Sequence, residues 1–175
     1  MTRSLSGTEL KRLHRDWRRR TEGRVAVVLD GVQNPFNVGS ILRSAAAFSV
    51  DKLWLAGHVP PPSDTKVNKT ALGSQRFLTW DVVETGAEAI AAARAEGFLV
   101  VGVELAEGSE PLHALPLDGD VCLVLGHEER GLSKDALAGC DHLGYVPQLG
   151  RIGSLNVGTA AAVAIYEVRR RAWTP

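Results

Sequence analysis

Short apolar runs alternate along the chain with longer stretches in which apolar residues recur at helical spacing. Continuous β-branched runs, of which RVAVVLD at residues 24–30 is the clearest, are typical of strands buried on both faces. Such runs predict strands at residues 24–30, 52–57, 98–105, 120–126 and 142–147. Helical spacing predicts helices from residue 38, over 85–96, around 133–138 and from 156 to 171. The alternation predicts an α/β fold in which helices cover both faces of a parallel sheet.

One more helix is predicted ahead of the first strand. Thr8 is a suitable cap, and Leu10, Leu13 and Trp17 recur on one face of that helix. A chain of 175 residues is long enough to bury the core of one domain. We therefore expect residues 1–22 to form a basic amino-terminal helix that belongs to the same single domain as residues 23–175.

Charge is unevenly distributed, although the formal net charge of the chain is zero. Residues 1–20 carry two acidic side chains and seven basic ones, namely Arg3, Lys11, Arg12, Arg15, Arg18, Arg19 and Arg20. Three more arginines stand together at residues 169–171. Basic ends on a neutral body indicate either a localised anionic partner or a solvated helix face, and charge alone does not separate the two.

Several classes of protein are disfavoured by composition. The two cysteines, Cys122 and Cys140, lack metal-ligand spacing, so we expect reduced structural thiols and no metal site. The chain has no apolar run near eighteen residues, and its first twenty residues are polar and rich in arginine. We therefore expect a cytoplasmic protein without a membrane segment.

The segments that follow the predicted strands are rich in glycine and polar residues. They read DGVQNPFNVGSILR, ELAEG, GHEERGLS and PQLGRIGSLN. Ligands of parallel α/β sheets bind outside the carboxyl ends of the strands, where these segments lie. GxGxxG and GxxxxGK[ST] are absent, so neither a Rossmann dinucleotide site nor a P-loop is predicted.

Polar residues at two predicted helix starts are candidates for a binding site. Ser154 and Asn156 both precede the last helix, and one suffices as a cap, so the other is available for a ligand. If the second helix begins near Val38, Asn37 caps it and Arg43 lies a turn and a half inside. On that assumption, Asn37 and Arg43 face one cleft above the strand ends. The alternative for either asparagine is plain helix capping.

Three segments carry a family resemblance: NPFNVGSILR at 34–43, LVLGHEERGLS at 123–133 and VPQLGRIGSLNVGTA at 146–160. Their order, spacing and content resemble the motifs of the SpoU/TrmH family of S-adenosylmethionine-dependent RNA ribose 2′-O-methyltransferases, from residue 25 to residue 171. The resemblance implies a deep trefoil knot in the carboxy-terminal part, a cofactor bound in the knot and an active site at a homodimer interface. General topology rules would disfavour a knot.

The resemblance also implies roles for individual residues. Arg43 matches the arginine that the family treats as catalytic, and the other matching motif residues are Asn37, Glu128, Ser154 and Asn156. Backbone contacts to S-adenosylmethionine map onto Val103, Gly126, Val146 and Leu155. Gly158 stands where the family usually has a second serine, which puts any role of that serine in doubt.

The chemistry of methyl transfer constrains these roles. A ribose 2′-OH must lose its proton as it attacks, and arginine is a poor base because its guanidinium stays protonated. We therefore expect Arg43 to hold a phosphate and stabilise the developing alkoxide, with a deprotonated Arg43 as the competing account. For Glu128 we expect a structural role, pairing with Asn37 or a backbone N–H, and the alternative is a general base.

The short length and the helical start look most like the branch of the family that methylates a guanosine in the D-loop of tRNA. Relatives that modify ribosomal RNA usually carry a larger amino-terminal RNA-binding domain. RNA contacts are expected from the first helix. Lys66, Lys69 and Arg76 lie in a predicted loop that either adds to this surface or is a polar loop without a function. The alternatives are an rRNA methyltransferase, an inactive cofactor-binding RNA-binding protein and an unrelated α/β nucleotide-binding enzyme.

Overall fold

The computed structural model describes residues 2–173. Residue 1 and residues 174–175, the ends of the predicted domain, lie outside the described residues. The helices are α1 (Gly7–Arg20), α2 (Pro35–Ala47), α3 (Thr65–Ala71), α4 (Gly86–Ala95), α5 (Lys134–Gly139) and α6 (Val157–Arg171). The strands are β1 (Val25–Asp30), β2 (Lys52–Ala56), β3 (Trp80–Val83), β4 (Leu99–Val103), β5 (Glu110–Pro111), β6 (Val121–Gly126) and β7 (His142–Tyr145). Short 3₁₀ helices occupy Ser74–Phe77 and Leu112–Ala114.

All seven strands form one parallel sheet in the order β3-β2-β1-β6-β4-β7-β5. The central strands β1 and β6 are buried along their whole length, as their continuous apolar sequences predict. Helices α2, α3 and α6 pack on one face, and α4 and α5 pack on the other. The α/β fold with a parallel sheet between two helical layers is therefore confirmed.

Two helix starts differ from their predicted positions. Helix α2 begins at Pro35, and its cap is Asn34, whose side chain accepts a hydrogen bond from the N–H of Phe36. Proline fits the first helical position because its missing N–H is one that a helix start leaves unpaired. Asn37 therefore lies in the first turn instead of capping it. In α1 the cap is Ser6 and not Thr8, because Ser6 and Glu9 form a reciprocal capping box.

Residues 65–83 form more regular structure than the predicted loop. Lys66 and Lys69 lie on α3, and Arg76 lies on the 3₁₀ helix that follows it. Only Val67 and Ala71 of α3 are buried, so the helix is too short and too polar for its apolar period to be visible. Strand β3 was also missed, because it is an edge strand whose residues are mostly exposed.

The carboxyl end of α6 is fixed by Arg169, a buried arginine with 5% exposure. Its guanidinium donates to the carbonyl oxygens of Phe48, Gly23 and Ser49 and to the Asp51 carboxylate. These acceptors lie just before β1 and in the segment between the end of α2 and the start of β2, so one side chain on α6 joins the ends of three other elements. Of the three arginines at 169–171, this one is therefore part of the core.

Among residues 2–173, no helix combines the length and apolar character that crossing a membrane requires. The same residues contain no group of three or more histidine, cysteine, aspartate or glutamate side chains placed to hold a metal ion.

Candidate functional site

Three of the predicted site residues meet at the carboxyl edge of the sheet. The Asn37 side-chain amide donates to Oε1 of Glu128 at 3.0 Å, and its Oδ1 accepts from Nδ2 of Asn156 at 2.9 Å. The three residues come from α2, the turn after β6 and the start of α6. The cluster thus joins segments that are more than ninety residues apart in the chain.

Glu128 also organises the turn between β1 and α2. Its carboxylate accepts hydrogen bonds from the backbone N–H groups of Asn34, at 3.0 Å, and Gln33, at 3.2 Å. Burial raises the pKa of Glu128, but the bonds from Asn37 and from these backbone groups outweigh it, and the pKa lies below the ordinary value. Glu128 thus makes both of the predicted pairings, with Asn37 and with backbone N–H groups, and its structural role stays a prediction.

Replacing Glu128 with glutamine is expected to remove a stabilisation that depends on pH. Because the pKa is lowered in the folded state, the stabilisation is fully present above the ordinary glutamate pKa of 4.5 and is lost as the pH falls through the lower folded value. We expect wild type to exceed Glu128→Gln by about 1 to 2 kcal/mol in free energy of unfolding at neutral pH. Urea unfolding over a pH series measures this difference, and Glu129→Gln at the exposed neighbouring residue is the control. A difference that does not change with pH would contradict this account of the cluster.

Asn156 performs two tasks with one side chain. Its Oδ1 caps α6 by accepting from the N–H groups of Gly158 and Thr159, while its Nδ2 donates to Asn37. Ser154 is exposed in the preceding loop and makes no hydrogen bond with another described residue. Of the two predicted caps, Asn156 is therefore the one used, and Ser154 remains available to a ligand.

Packing in the fold explains why a glycine occupies position 158, which the sequence alone did not reveal. A Cβ atom at this position would lie 3.1 Å from Oδ1 of Asn156 and 3.3 Å from the Ser40 side chain on α2. Such contacts are tighter than ordinary van der Waals distances. Glycine therefore allows the start of α6 to approach α2 closely, next to the cap that Asn156 provides.

Arg43 does not join the cluster within one chain, which corrects the expectation of a cleft shared with Asn37. Six residues correspond to about 600° of helical rotation, which leaves the two side chains about 120° apart around α2. Asn37 is buried, and Arg43 is exposed. Arg43 lines a separate cavity with residues of α1, α6 and the 3₁₀ helix Ser74–Phe77.

The predicted cofactor residues lie at the ends of neighbouring strands. Val103 ends β4, Gly126 ends β6 and Val146 follows β7, while β4 is paired with both β6 and β7. Leu155 directly precedes the cap of α6. Exposed apolar side chains follow these strands, Leu105 after β4 and Leu149 and Ile152 after β7. These backbone ends and exposed apolar side chains are the groups that could hold a cofactor with a flat base and polar groups.

Two carboxylates that the sequence analysis did not select hold the turn after β6. Asp30, at the end of β1, accepts from the N–H of Ser133 at 2.8 Å, and Glu104, just after β4, accepts from the N–H of Leu132 at 3.0 Å. Gly131 has a φ of +66°, and a Cβ there would lie 2.3 Å from Oε2 of Glu104. The position of Asp30, an acidic residue at the end of a buried strand, was the available signal. Both side chains keep the segment that carries Glu128 against the sheet.

The two cysteines are free thiols in the interior of the fold. Burial raises the pKa of Cys140 to about 11 and raises that of the fully buried Cys122 still further. Both side chains are therefore protonated at neutral pH, which agrees with a packing role and not with a reactive one.

Comparison with known proteins identifies the family of the chain. A family model described as the SpoU rRNA Methylase family matches residues 24–166. The 23S rRNA (guanosine-2'-O-)-methyltransferase RlmB of Xylella fastidiosa is 37% identical over 145 residues, which cover 83% of this chain and 58% of the relative. The chain spans about three fifths of the length of the curated relatives it matches.

Solved structures show the same architecture. The SpoU methyltransferase AviRb from Streptomyces viridochromogenes, in complex with AdoMet, has a TM-score of 0.79 and 30% identity, covering 88% of this chain and 62% of its own. A structure described as giving insights into 2-OH methylation of C/U34 on tRNA has a TM-score of 0.75 and 27% identity, covering 85% of this chain and 96% of its own. The family model spans every strand and the asparagine–glutamate–asparagine cluster. The chain belongs to the SpoU rRNA methylase family.

Proposed function

We propose that this chain transfers a methyl group from S-adenosylmethionine to a ribose 2′-OH of RNA, with a tRNA guanosine in the D-loop as the favoured target. The observation that carries the proposal is the Asn37–Glu128–Asn156 cluster, which lies beside the strand ends where the predicted cofactor residues converge. A fold of this family that lacked function would not require the buried amide of Asn37 to be shared between the turn after β6 and the start of α6. We place the reaction in the cytoplasm.

The cofactor supplies an electrophilic methyl group on a sulfonium, so that the ribose oxygen forms a new bond to carbon as the sulfur–carbon bond breaks. The residues of the chain have to position that oxygen and accommodate its proton. In this proposal Arg43 binds the phosphate beside the target ribose and stabilises the negative charge that develops on the ribose oxygen. The proton leaves to a phosphate oxygen or to water. A guanidinium offers a planar, charged set of donors that suits a phosphate, which favours this role over that of a base.

In this proposal Glu128, Asn37 and Asn156 are positioning residues. The ionised Glu128 only accepts hydrogen bonds and therefore orients the Asn37 amide, which in turn orients Asn156. Ser154 is assigned to the substrate side of the loop because its hydroxyl is exposed. We also propose that the carboxy-terminal part of the chain forms the deep trefoil knot of the family, with the cofactor held by its loops.

We propose a homodimer that brings Arg43 of one copy to the cluster of the other. Two observations support it. Arg43 points away from its own cluster by about 120°, and exposed apolar residues lie on one face of α1 (Leu10 and Leu13) and on α6 (Val163 and Tyr166). Groups of exposed apolar residues mark interaction surfaces. A second copy of the chain would cover both faces.

The choice between tRNA and rRNA is tested by offering both. The full chain is incubated with S-adenosylmethionine carrying a labelled methyl group and with separate tRNA and rRNA pools, and nuclease mapping locates the label. Label in the tRNA D-loop supports the favoured target. Label confined to rRNA supports rRNA methylation, the function in the name of the RlmB relative. Binding of cofactor and RNA without any product would indicate an inactive RNA-binding protein.

Helix α1 is proposed as the main phosphate-binding element. Its arginines Arg12, Arg15 and Arg19 share one face at helical spacing, opposite Leu10 and Leu13, and all are exposed. Replacing these three arginines with glutamine is expected to lower the slope of log affinity against log salt by about 2, because each lost phosphate contact removes about 0.7 to 0.9. Filter binding of tRNA over a salt series measures the slope. Lys134→Ala on the opposite face of the sheet is the control, and an unchanged slope in the triple variant would exclude α1.

A further inference from the structure

A cavity of about 850 Å³ lies between the carboxyl end of α1, the carboxyl half of α2 and the end of α6. The 3₁₀ helix Ser74–Phe77 contributes to its lining. Its lining includes aromatic and basic side chains: Trp17, Phe48, Phe77 and Trp173, and His14, Arg18, Arg43 and Arg169. The asparagine–glutamate–asparagine cluster is not part of this lining.

The charge of the cavity favours an anion. Arg18 and Arg43 form no ion pair with another described residue, so their charge is not neutralised within residues 2–173. Asp51 is the one acidic residue in the described lining. It already accepts hydrogen bonds from the N–H of Val25 and from Arg169. A ligand in the cavity therefore meets uncompensated positive charge on two sides.

The aromatic side chains favour a flat ligand. Phe77 is 70% exposed, which is unusual for a residue whose burial would stabilise the fold, and the Arg76 guanidinium lies 4.7 Å from the centre of its ring. Trp17 and Trp173 contact each other with ring centres 5.3 Å apart and also line the cavity. Exposed rings next to arginines are the means by which proteins hold unpaired bases together with their phosphates.

We propose that this cavity binds one unpaired nucleotide of the RNA, with its base stacked on Phe77 and its phosphate paired with Arg18 and Arg43. Because Arg43 also serves the methylated ribose, this nucleotide neighbours the target in the strand. The inference rests on the proposed function for that placement. It adds Phe77, Trp17 and Arg18 as residues that select unpaired RNA, since a base within a duplex presents no free face for stacking.

Replacing Phe77 with alanine tests the stacking. Fluorescence anisotropy with a labelled single-stranded oligoribonucleotide of mixed sequence is expected to show about tenfold weaker binding by Phe77→Ala and near-normal binding by Phe77→Trp. Val82→Ala removes an equally exposed apolar side chain outside the cavity and is expected to bind like wild type. The affinity for S-adenosylmethionine, measured by calorimetry, is expected to be the same in all four proteins.

Ultraviolet crosslinking of the wild-type protein to the same oligoribonucleotide maps the contact without any substitution. Crosslinked peptides that contain Phe77 or Trp17 are the expected result, and crosslinks confined to other peptides would overturn the inference. Equal RNA affinity of Phe77→Ala and wild type would overturn it as well. So would a Phe77→Ala protein that sediments as a smaller species, because the cavity would then be covered by a second copy of the chain.

These results separate the inference from the proposed function. If wild type methylates RNA and Phe77→Ala binds and methylates it equally well, the nucleotide site in the cavity is wrong and the proposed function stands. If wild type transfers no methyl group but Phe77→Ala still weakens RNA binding, the proposed activity fails and the cavity remains a nucleotide site.

Discussion

Replacing Arg43 with alanine is expected to lower the methylation rate by about 100- to 1,000-fold at saturating cofactor and RNA. Removing one preorganised group that stabilises charge in a transition state has effects of that size. Arg43 is exposed on the side of α2 that faces away from the core, so the substitution leaves the fold intact. Arg43→Lys is expected to recover part of the rate, because lysine retains the charge and loses the planar, two-pronged geometry.

Single-turnover methylation measures this effect, and calorimetry with S-adenosylmethionine shows that the cofactor site is unaffected. Lys134→Ala is the matched control, since Lys134 is an exposed cation on α5 across the sheet. Turnover near the wild-type rate in Arg43→Ala would remove Arg43 from the mechanism and leave the cluster as a structural feature.

Replacing Arg169 with alanine is expected to cost about 3 to 5 kcal/mol of the free energy of unfolding. The substitution leaves three backbone carbonyl groups without their donor and removes the ion pair with Asp51, and unpaired buried groups carry penalties of this order. Arg169→Lys is expected to recover little, because one ammonium group cannot reach acceptors on three elements. A loss of this size is a large fraction of the stability of a single domain.

Urea unfolding followed by circular dichroism measures the change in stability. The neighbouring Arg170→Ala is the control. Arg170 is exposed and pairs with Glu167, and a surface pair of that kind contributes less than about 1 kcal/mol. Similar losses in the two variants would contradict the assignment of Arg169 as the residue that fixes the end of α6.

The parallel sheet was predictable from the sequence because its central strands are buried on both faces. RVAVVLD and DVCLVLG read as continuous apolar runs, and they became β1 and β6. Edge strand β3 and helix α3 were not predictable in the same way, because exposed or short elements bury too few apolar residues to impose a period. Local capping decided where α2 and α1 begin, at Asn34 and Ser6.

The sequence motifs identified the residues of the candidate site, but they did not predict how those residues are arranged. Asn37, Glu128 and Asn156 were selected from their motifs, and their hydrogen bonds show why they occur together. The direction of the Arg43 side chain depended on the residue at which α2 begins. The sequence determines that residue only to within a few positions. The contributions of Asp30 and Glu104 depended on which strands are neighbours, and that order is a property of the folded sheet.

The position of the transferred methyl group is the most direct test of the account. The full chain is incubated with S-adenosylmethionine carrying a deuterated methyl group and with total tRNA and rRNA, the RNA is digested to nucleosides, and the products are identified by mass spectrometry. The account predicts the label on a ribose, as a 2′-O-methylnucleoside, and its loss with Arg43→Ala. A label on a base, or RNA without label in the presence of bound cofactor, would contradict it.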